Sequence, residues 1–123
     1  MFHRIRALAV YVTDLGRAKE FYGRVLGFEV EADLGPTLCF LRSRTGGIHL
    51  YLEGGMKPGR EERDRSRLGF FLQAERPASE TLAELRRAGV RILQEAPEPV
   101  DDDTVCFQIA DPDGNIIDVC CRP

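Results

Sequence analysis

The chain has 123 residues, with 17 basic and 20 acidic side chains and a net charge of −3 at neutral pH. This length predicts a single domain that buries a core without disulfides or metal ions. The acidic balance argues against a general nucleic-acid or membrane binder, and no apolar run approaches the ~20 residues of a membrane span. The first residues lack the apolar region of a signal peptide, so we expect a cytoplasmic protein.

Four cysteines occur in apolar, strand-like runs: Cys39, Cys106, Cys120 and Cys121. None belongs to a CxxC pair, and buried, reduced thiols are the expected state in the cytosol. Cys120 and Cys121 are adjacent in a predicted strand, where they point to opposite faces, so a disulfide between them is not expected.

The first half of the chain predicts a strand, a helix and three further strands. A strand over 5–12 is followed by Asp14, a suitable N-cap, and by helical spacing over 15–26. Gly27 is a natural helix stop. Three apolar runs bounded by turn residues then predict strands over 28–32, 37–43 and 48–53.

Residues 54–66 interrupt this pattern, because they are rich in glycine and charge and have no apolar period. A solvated linker is the simpler interpretation, and a mobile lid over a site is the alternative. The pattern then resumes with a strand over 67–73, a helix from Pro77 to about 88, a strand over 90–94 and a loop over 95–103.

The last stretch, over 105–121, predicts a β-hairpin. Two β-prone runs flank Asp111-Pro112-Asp113-Gly114-Asn115, in which Pro112 suits the first corner of a type I turn and Gly114 tolerates positive φ. The returning run contains one acid, Asp118. A carboxylate in an apolar strand costs free energy unless a partner compensates it, so the partner of Asp118 is the central question for the chain.

The chain therefore has the order βαβββ, linker, βαβββ. The first module spans about 4–53, the linker 54–66 and the second module about 67–121. The first strands can be overlaid, residues 8–12 on 68–72. We predict an α+β fold in which the two modules form a curved mixed sheet around a cleft, with helices on the outer face.

Three motifs resemble the vicinal oxygen chelate superfamily, the group of glyoxalase I, bleomycin-resistance proteins and extradiol dioxygenases. They are the VxDLxxAxxFYxxVLGF pattern over 12–28, the AxLxxAGV-like stretch over 83–90 and the DPDGNxI ending with Asp118. The resemblance covers nearly the whole chain. It implies paired βαβββ modules and a homodimer, and it leaves the chemistry open.

In metal-using members of that superfamily, four inward positions supply the ligands. Carried over to this chain, they fall on Ala7, His49, Arg67 and Asp118. Ala7 cannot ligate and Arg67 would repel a cation. If a divalent metal such as Zn, Ni, Fe or Mn binds, His49 and Asp118 are therefore the candidate ligands, with Glu53 poorly spaced for a third.

Alternation along the strands gives the cleft-facing side chains without reference to the family. Ile48, Leu50 and Leu52 share one face of their strand, and His49, Tyr51 and Glu53 share the other. By the same rule Tyr11, Phe71 and Asp118 face the cleft together with Arg67. The mixture of small, aromatic and polar residues is typical of a small-molecule pocket.

We interpret the chain as a small-molecule binding protein that needs no metal and takes an aromatic or anionic ligand. Tyr11, Tyr51 and Phe71 would stack on the ligand, Arg67 or His49 would anchor it, and Arg67 would pair with Asp118. Whether the bound molecule is also converted stays open. If it is converted, His49 is the expected general base.

Two alternatives remain. The first is a metal-dependent lyase, isomerase or dioxygenase with an incomplete ligand set, and the second is a purely structural or partner-binding role. None of these three interpretations involves a nucleic acid or a membrane.

Overall fold

In each half of the chain, the first and last strands lie side by side and parallel. A computed structural model describes residues 1, 7–54 and 70–123, which divide into two compact units, Met1–Glu61 and Glu62–Pro123. No helix in these described ranges is both long and apolar enough to cross a membrane. Arg67, His3 and most of the predicted linker lie outside the described residues.

The first unit contains a four-stranded mixed sheet and one helical segment. The elements are β1 (Ala7–Val12), α1 (Leu15–Lys19), a π-helical continuation (Glu20–Val25), β2 (Glu29–Asp33), β3 (Leu38–Arg42) and β4 (His49–Gly54). The strand order is β1-β4-β3-β2, with β1 parallel to β4 and the other pairs antiparallel. Parallel neighbours need a long crossover connection, and here the intervening helix, β2 and β3 provide it.

The second unit repeats this arrangement. Its elements are β5 (Phe71–Gln73), α2 (Ala78–Arg87), β6 (Arg91–Ile92), β7 (Glu98–Pro99), β8 (Val105–Ala110) and β9 (Ile116–Cys121). The order is β5-β9-β8-β6, and β7 also pairs with β8. Because β5 is parallel to β9 and β8 is antiparallel to it, the predicted pair of βαβββ modules is confirmed.

Each sheet is buried on one face only, and the helix of its unit covers that face. Leu50 and Leu52 of β4 are buried and α1 contacts this strand, whereas alternate residues of β4 are half-buried. In β9, Ile117, Val119 and Cys121 are buried and α2 contacts the strand. Each fully buried aliphatic side chain contributes about 1.5–3 kcal/mol to folding. We call the uncovered sides, which carry Tyr51 and Asp118 respectively, the first and the second open face.

The loop between β8 and β9 is held by a buried carboxylate. Asp111 accepts hydrogen bonds from the backbone N–H groups of Asp113 (2.9 Å) and Asn115 (2.8 Å) and from Asn115 Nδ2 (2.7 Å). Gly114 donates to the Asp111 carbonyl at 2.9 Å and has a φ of 83°, which a glycine adopts without steric cost. The predicted turn is therefore confirmed.

Several predicted elements differ in detail from the observed ones. The predicted helix over 15–26 ends at Val25, and its second half is π-helical. The predicted strand over 90–94 is reduced to Arg91–Ile92, and the predicted loop over 95–103 contains β7. Ile48 was predicted to share the apolar face of Leu50 and Leu52, but it is 53% exposed. The reason is that β4 begins one residue later, so the alternation does not extend to Ile48.

Replacing the turn carboxylate should destabilise the protein strongly. Asp111→Ala removes the acceptor of two half-buried backbone N–H groups, and hydrogen bonds to a charged group contribute about 1.5–3 kcal/mol each. We expect a loss of about 2–4 kcal/mol in the free energy of unfolding, measured by urea denaturation.

Asp101 provides the matched control. Its carboxylate also accepts from the backbone N–H two residues later, that of Asp103, at 2.9 Å, but it is exposed to solvent. Asp101→Ala should therefore cost less than about 1 kcal/mol. Equal losses for the two variants would show that burial of Asp111 does not stabilise the turn.

Candidate functional site

The first open face is assembled from three neighbouring strands in register. Ala9 of β1 and Phe40 of β3 lie on either side of Tyr51 in β4. One row further along, Tyr11 and Leu38 flank Glu53. Residues directly opposite each other on paired strands share a face, so these side chains form one continuous surface.

An aromatic pair occupies the centre of this surface. The ring centroids of Phe40 and Tyr51 are 5.3 Å apart with an interplanar angle of 31°. Both side chains are half-buried, and on the β1 side the neighbour of Tyr51 is only the methyl group of Ala9. Tyr11 is 40% exposed on the same face. This arrangement offers partly exposed rings beside small side chains, a surface on which a flat apolar group can pack.

A histidine–carboxylate pair lies on the same side of the sheet. His49 Nδ1 is 2.5 Å from Glu31 Oε2, and both side chains are 39% exposed. When Nδ1 carries the proton and donates it to Glu31, the lone pair of the neutral imidazole is on Nε2. His49 can then accept a hydrogen bond or a proton through Nε2, while Glu31 holds the ring in one orientation.

On the second open face, Asp118 is satisfied by an amide. Gln108 Nε2 donates to Asp118 Oδ1 at 3.1 Å across the β8–β9 ladder, and both residues are half-buried. On the other side, the residue opposite Asp118 is Phe71 of β5, which is 71% exposed. The predicted pair of Asp118 with Arg67 stays a prediction, because Arg67 lies outside the described residues.

The registers of the two units align Asp118 with Glu53. Tyr11 lies opposite Glu53 in the first unit, as Phe71 lies opposite Asp118 in the second. In the overlay of residues 8–12 on 68–72, Tyr11 corresponds to Phe71. The acids opposite these two rings, Glu53 and Asp118, therefore correspond to each other. His49 is opposite Ala7, four residues or two strand repeats before Glu53.

The predicted site residues thus fall into three sets. His49, Tyr51, Glu53 and Tyr11 lie together on the first open face, Phe71 and Asp118 lie on the second, and Arg67 is outside the described residues. Three side chains were not predicted: Glu31, Phe40 and Gln108. A signal for Glu31 existed, because Glu29, Glu31 and Asp33 alternate with apolar residues, but its contact with His49 requires knowing that β3 lies between their strands.

A shallow groove also lies on the helix side of the second unit. Its walls come from α2, the loop before β7 and the start of β8, including Leu82, Arg86, Glu95 and Val105. None of the predicted site residues lines this groove, so it does not bear on the site proposed from the sequence.

Comparison with known proteins identifies the same family that the sequence motifs resemble. The model of the Glyoxalase/Bleomycin resistance protein/Dioxygenase superfamily matches residues 4–119. No protein with a curated description is similar enough to count as a match.

Several solved structures share the fold over nearly their full length. TnmS3, an antibiotic binding protein from Streptomyces sp. CB03234, is 22% identical with a TM-score of 0.75, and the match covers 99% of this chain and 98% of that one. UcmS2 is 25% identical with a TM-score of 0.75 and 98% coverage of both chains. Lactoylglutathione lyase from Agrobacterium tumefaciens is 22% identical with a TM-score of 0.71, covering 95% of this chain and 92% of that one.

Removing Glu31 should change the tautomer of His49. In the untagged protein, which has only two histidines, long-range ¹H–¹⁵N spectra should show neutral His49 protonated on Nδ1. Glu31→Ala removes the acceptor, so the Nδ1–H population should fall. Glu53→Ala serves as the control. It removes an acid from β4, the strand of His49, and keeps Glu31, so it should leave the tautomer unchanged. An unaltered spectrum in Glu31→Ala would contradict the pair.

Proposed function

Since this chain belongs to the Glyoxalase/Bleomycin resistance protein/Dioxygenase superfamily, we propose that it binds a small organic molecule on the first open face. The family match confirms the resemblance drawn from the sequence motifs. Among proteins of this fold, one is an antibiotic binding protein and another is a lactoylglutathione lyase. The fold therefore allows both binding and turnover, and the choice depends on the residues of this chain.

The observation that supports binding is the aromatic pair beside a polar anchor. Phe40 and Tyr51 offer ring surface, and contacts between aromatic groups contribute about 0.5–1.5 kcal/mol beyond the area they bury. His49 lies on the same strand as Tyr51, two residues earlier, and Glu31 orients it. A flat ligand stacked on the rings can therefore also donate a hydrogen bond to His49 Nε2.

A negative group on the ligand is proposed to contact Arg67. The guanidinium group binds carboxylates and phosphates through two parallel hydrogen bonds, which makes it a suitable anchor for an anion. On the first open face, Glu31 and Glu53 would repel an anion, so an anionic ligand depends on a cation that offsets them.

We further propose that binding requires no metal. Ala7, at one of the family's four ligand positions, lies directly opposite His49 and carries no donor atom. Among the residues that the structure describes, no three His, Cys, Asp or Glu side chains are grouped as a metal site. Asp118 Oδ1 accepts a hydrogen bond from Gln108. With Ala7 and Arg67 at two of the four positions, the ligand set of the metal-dependent lyases, isomerases and dioxygenases is incomplete.

Two further expectations from the sequence stay predictions, the homodimer and the cytoplasmic location. His49 is also kept as the proposed general base in case a bound compound is converted, since its Nε2 is the basic atom in the tautomer that Glu31 favours.

A thermal-shift screen of planar aromatic acids tests the proposed function. A ligand present at about 100 times its Kd should stabilise the protein by about 2.7 kcal/mol and raise the melting temperature. Tyr51→Ala should weaken such a ligand about tenfold, since it removes one stacking partner.

Val30→Ala is the matched control for that variant. Val30 is an exposed apolar residue of the same unit, but it pairs with Leu41 on the buried side of the sheet. The Val30→Ala variant should therefore bind the ligand with unchanged affinity. A screen without any stabilising compound, or equal effects of the two variants, would contradict binding on the first open face.

The anchor is tested separately with an anionic ligand found in the screen. Arg67→Ala should cost about 2 kcal/mol of binding energy, as expected for a lost hydrogen bond to a charged group. Arg65→Ala, two residues earlier in the same charged segment, should have little effect. Affinity for a neutral analogue should not depend on Arg67, and an unchanged affinity for the anion removes Arg67 from this role.

Metal content distinguishes the two main functions. Elemental analysis of protein purified without an affinity tag should find no stoichiometric Zn, Ni, Fe or Mn, and a chelator should leave ligand affinity unchanged. A stoichiometric transition metal that is lost together with ligand binding would instead support the metal-dependent enzyme.

A further inference from the structure

Two thiols that have no part in the proposed function meet on the second open face. Cys106 of β8 and Cys120 of β9 are directly opposite in the antiparallel register. Their Sγ atoms are 2.7 Å apart, both side chains are half-buried, and neither is in a disulfide. The other two cysteines, Cys39 and Cys121, are buried in the cores.

The backbone independently places these two residues at a close approach. Antiparallel partners alternate between hydrogen-bonded pairs and closer pairs without mutual hydrogen bonds. The Cys120 carbonyl accepts from Ala74 N at 2.9 Å, and Asp118 N donates to the Phe70 carbonyl at 3.1 Å, so β9 directs these groups toward β5. Gln108 likewise directs its carbonyl away from β9, to Leu93 N. Cys106 and Cys120 are therefore a pair of the closer kind, with Cα atoms about 4.5 Å apart.

That spacing is compatible with a covalent bond between the two sulfur atoms. Disulfides form between residues whose Cα atoms are about 4.4–6.8 Å apart, and the S–S bond is about 2.05 Å long. The sulfur atoms need to approach by only about 0.7 Å, a movement that side-chain rotation supplies without a change in register.

We infer that Cys106 and Cys120 form a redox-active dithiol site, which hydrogen peroxide oxidises to a cross-strand disulfide that a dithiol reductant reduces again. This inference does not depend on the proposed ligand. The site lies next to the Gln108–Asp118 contact, so oxidation links the two strands that carry that contact.

Burial, and secondly its hydrogen bond to the Cys120 sulfur, raise the pKa of the Cys106 thiol to about 11. Oxidation of the pair should become faster as the pH rises, because the thiolate is the nucleophile.

With peroxide the reaction has two balanced steps. The thiolate of one cysteine attacks one peroxide oxygen, an S–O bond forms as the O–O bond breaks, and the departing hydroxide takes up a proton to become water. The sulfur of the other cysteine then attacks the oxidised sulfur, the S–S bond forms as the S–O bond breaks, and the hydroxide leaves as water with the proton of the attacking thiol. The two thiols lose two electrons in total, and peroxide gains them.

The test treats the full-length protein with a small excess of hydrogen peroxide and then alkylates the remaining thiols. Intact mass spectrometry should show the loss of two hydrogen atoms and two thiols that resist alkylation, and dithiothreitol should reverse both changes. Peptide mapping of the wild-type protein should find the link between Cys106 and Cys120. A link between any other pair, a link only between chains, or no link at all overturns the proposal.

Variants provide the matched controls. Cys106→Ser and Cys120→Ser should abolish the linked product, whereas Cys121→Ala, next in sequence but on the buried face, should retain it. Loss of the link in folded Cys121→Ala would overturn the assignment.

Discussion

The parallel pairing of the first and last strand in each unit is the constraint on which the rest of the structure depends. β1 joins β4, and β5 joins β9, with the whole module between them in sequence. Parallel strands require a crossover, and the helix in that crossover packs on one face of the sheet. The last strand of each module is thereby central in its sheet, with one face against the helix. The other face carries the side chains that are not part of the core.

This constraint explains why much of the arrangement could be predicted from the sequence. A strand has a period of two, so one buried apolar residue assigns the face of all its neighbours. The pattern of β4 therefore placed His49, Tyr51 and Glu53 together, and the pattern of β9 placed Asp118 away from the core. The turn chemistry of Pro112 and Gly114 is equally local, which is why the position of the turn in the last hairpin could be predicted.

What could not be predicted depends on strand order and register, which no local pattern contains. Glu31 contacts His49 across an intervening strand, and Gln108 reaches Asp118 because of the pairing of β8 with β9. The pairing of Phe40 with Tyr51, and of Cys106 with Cys120, follows from the same kind of information. The sequence placed Arg67 beside Asp118 from the family's ligand positions, whereas the described partner of that acid is an amide.

The bulge in β2 has a consequence for solubility. In the first sheet β2 is a terminal strand, and Glu31 is the additional residue between the ladder pairs of Val30 and Ala32. A regular, apolar terminal strand presents unpaired backbone groups that recruit other chains into aggregates. The irregular ladder and the acidic side chains of Glu29, Glu31 and Asp33 oppose such edge-to-edge association. The carboxylate that orients His49 is thus also part of the protection of this edge, so selection on either property constrains the same residue.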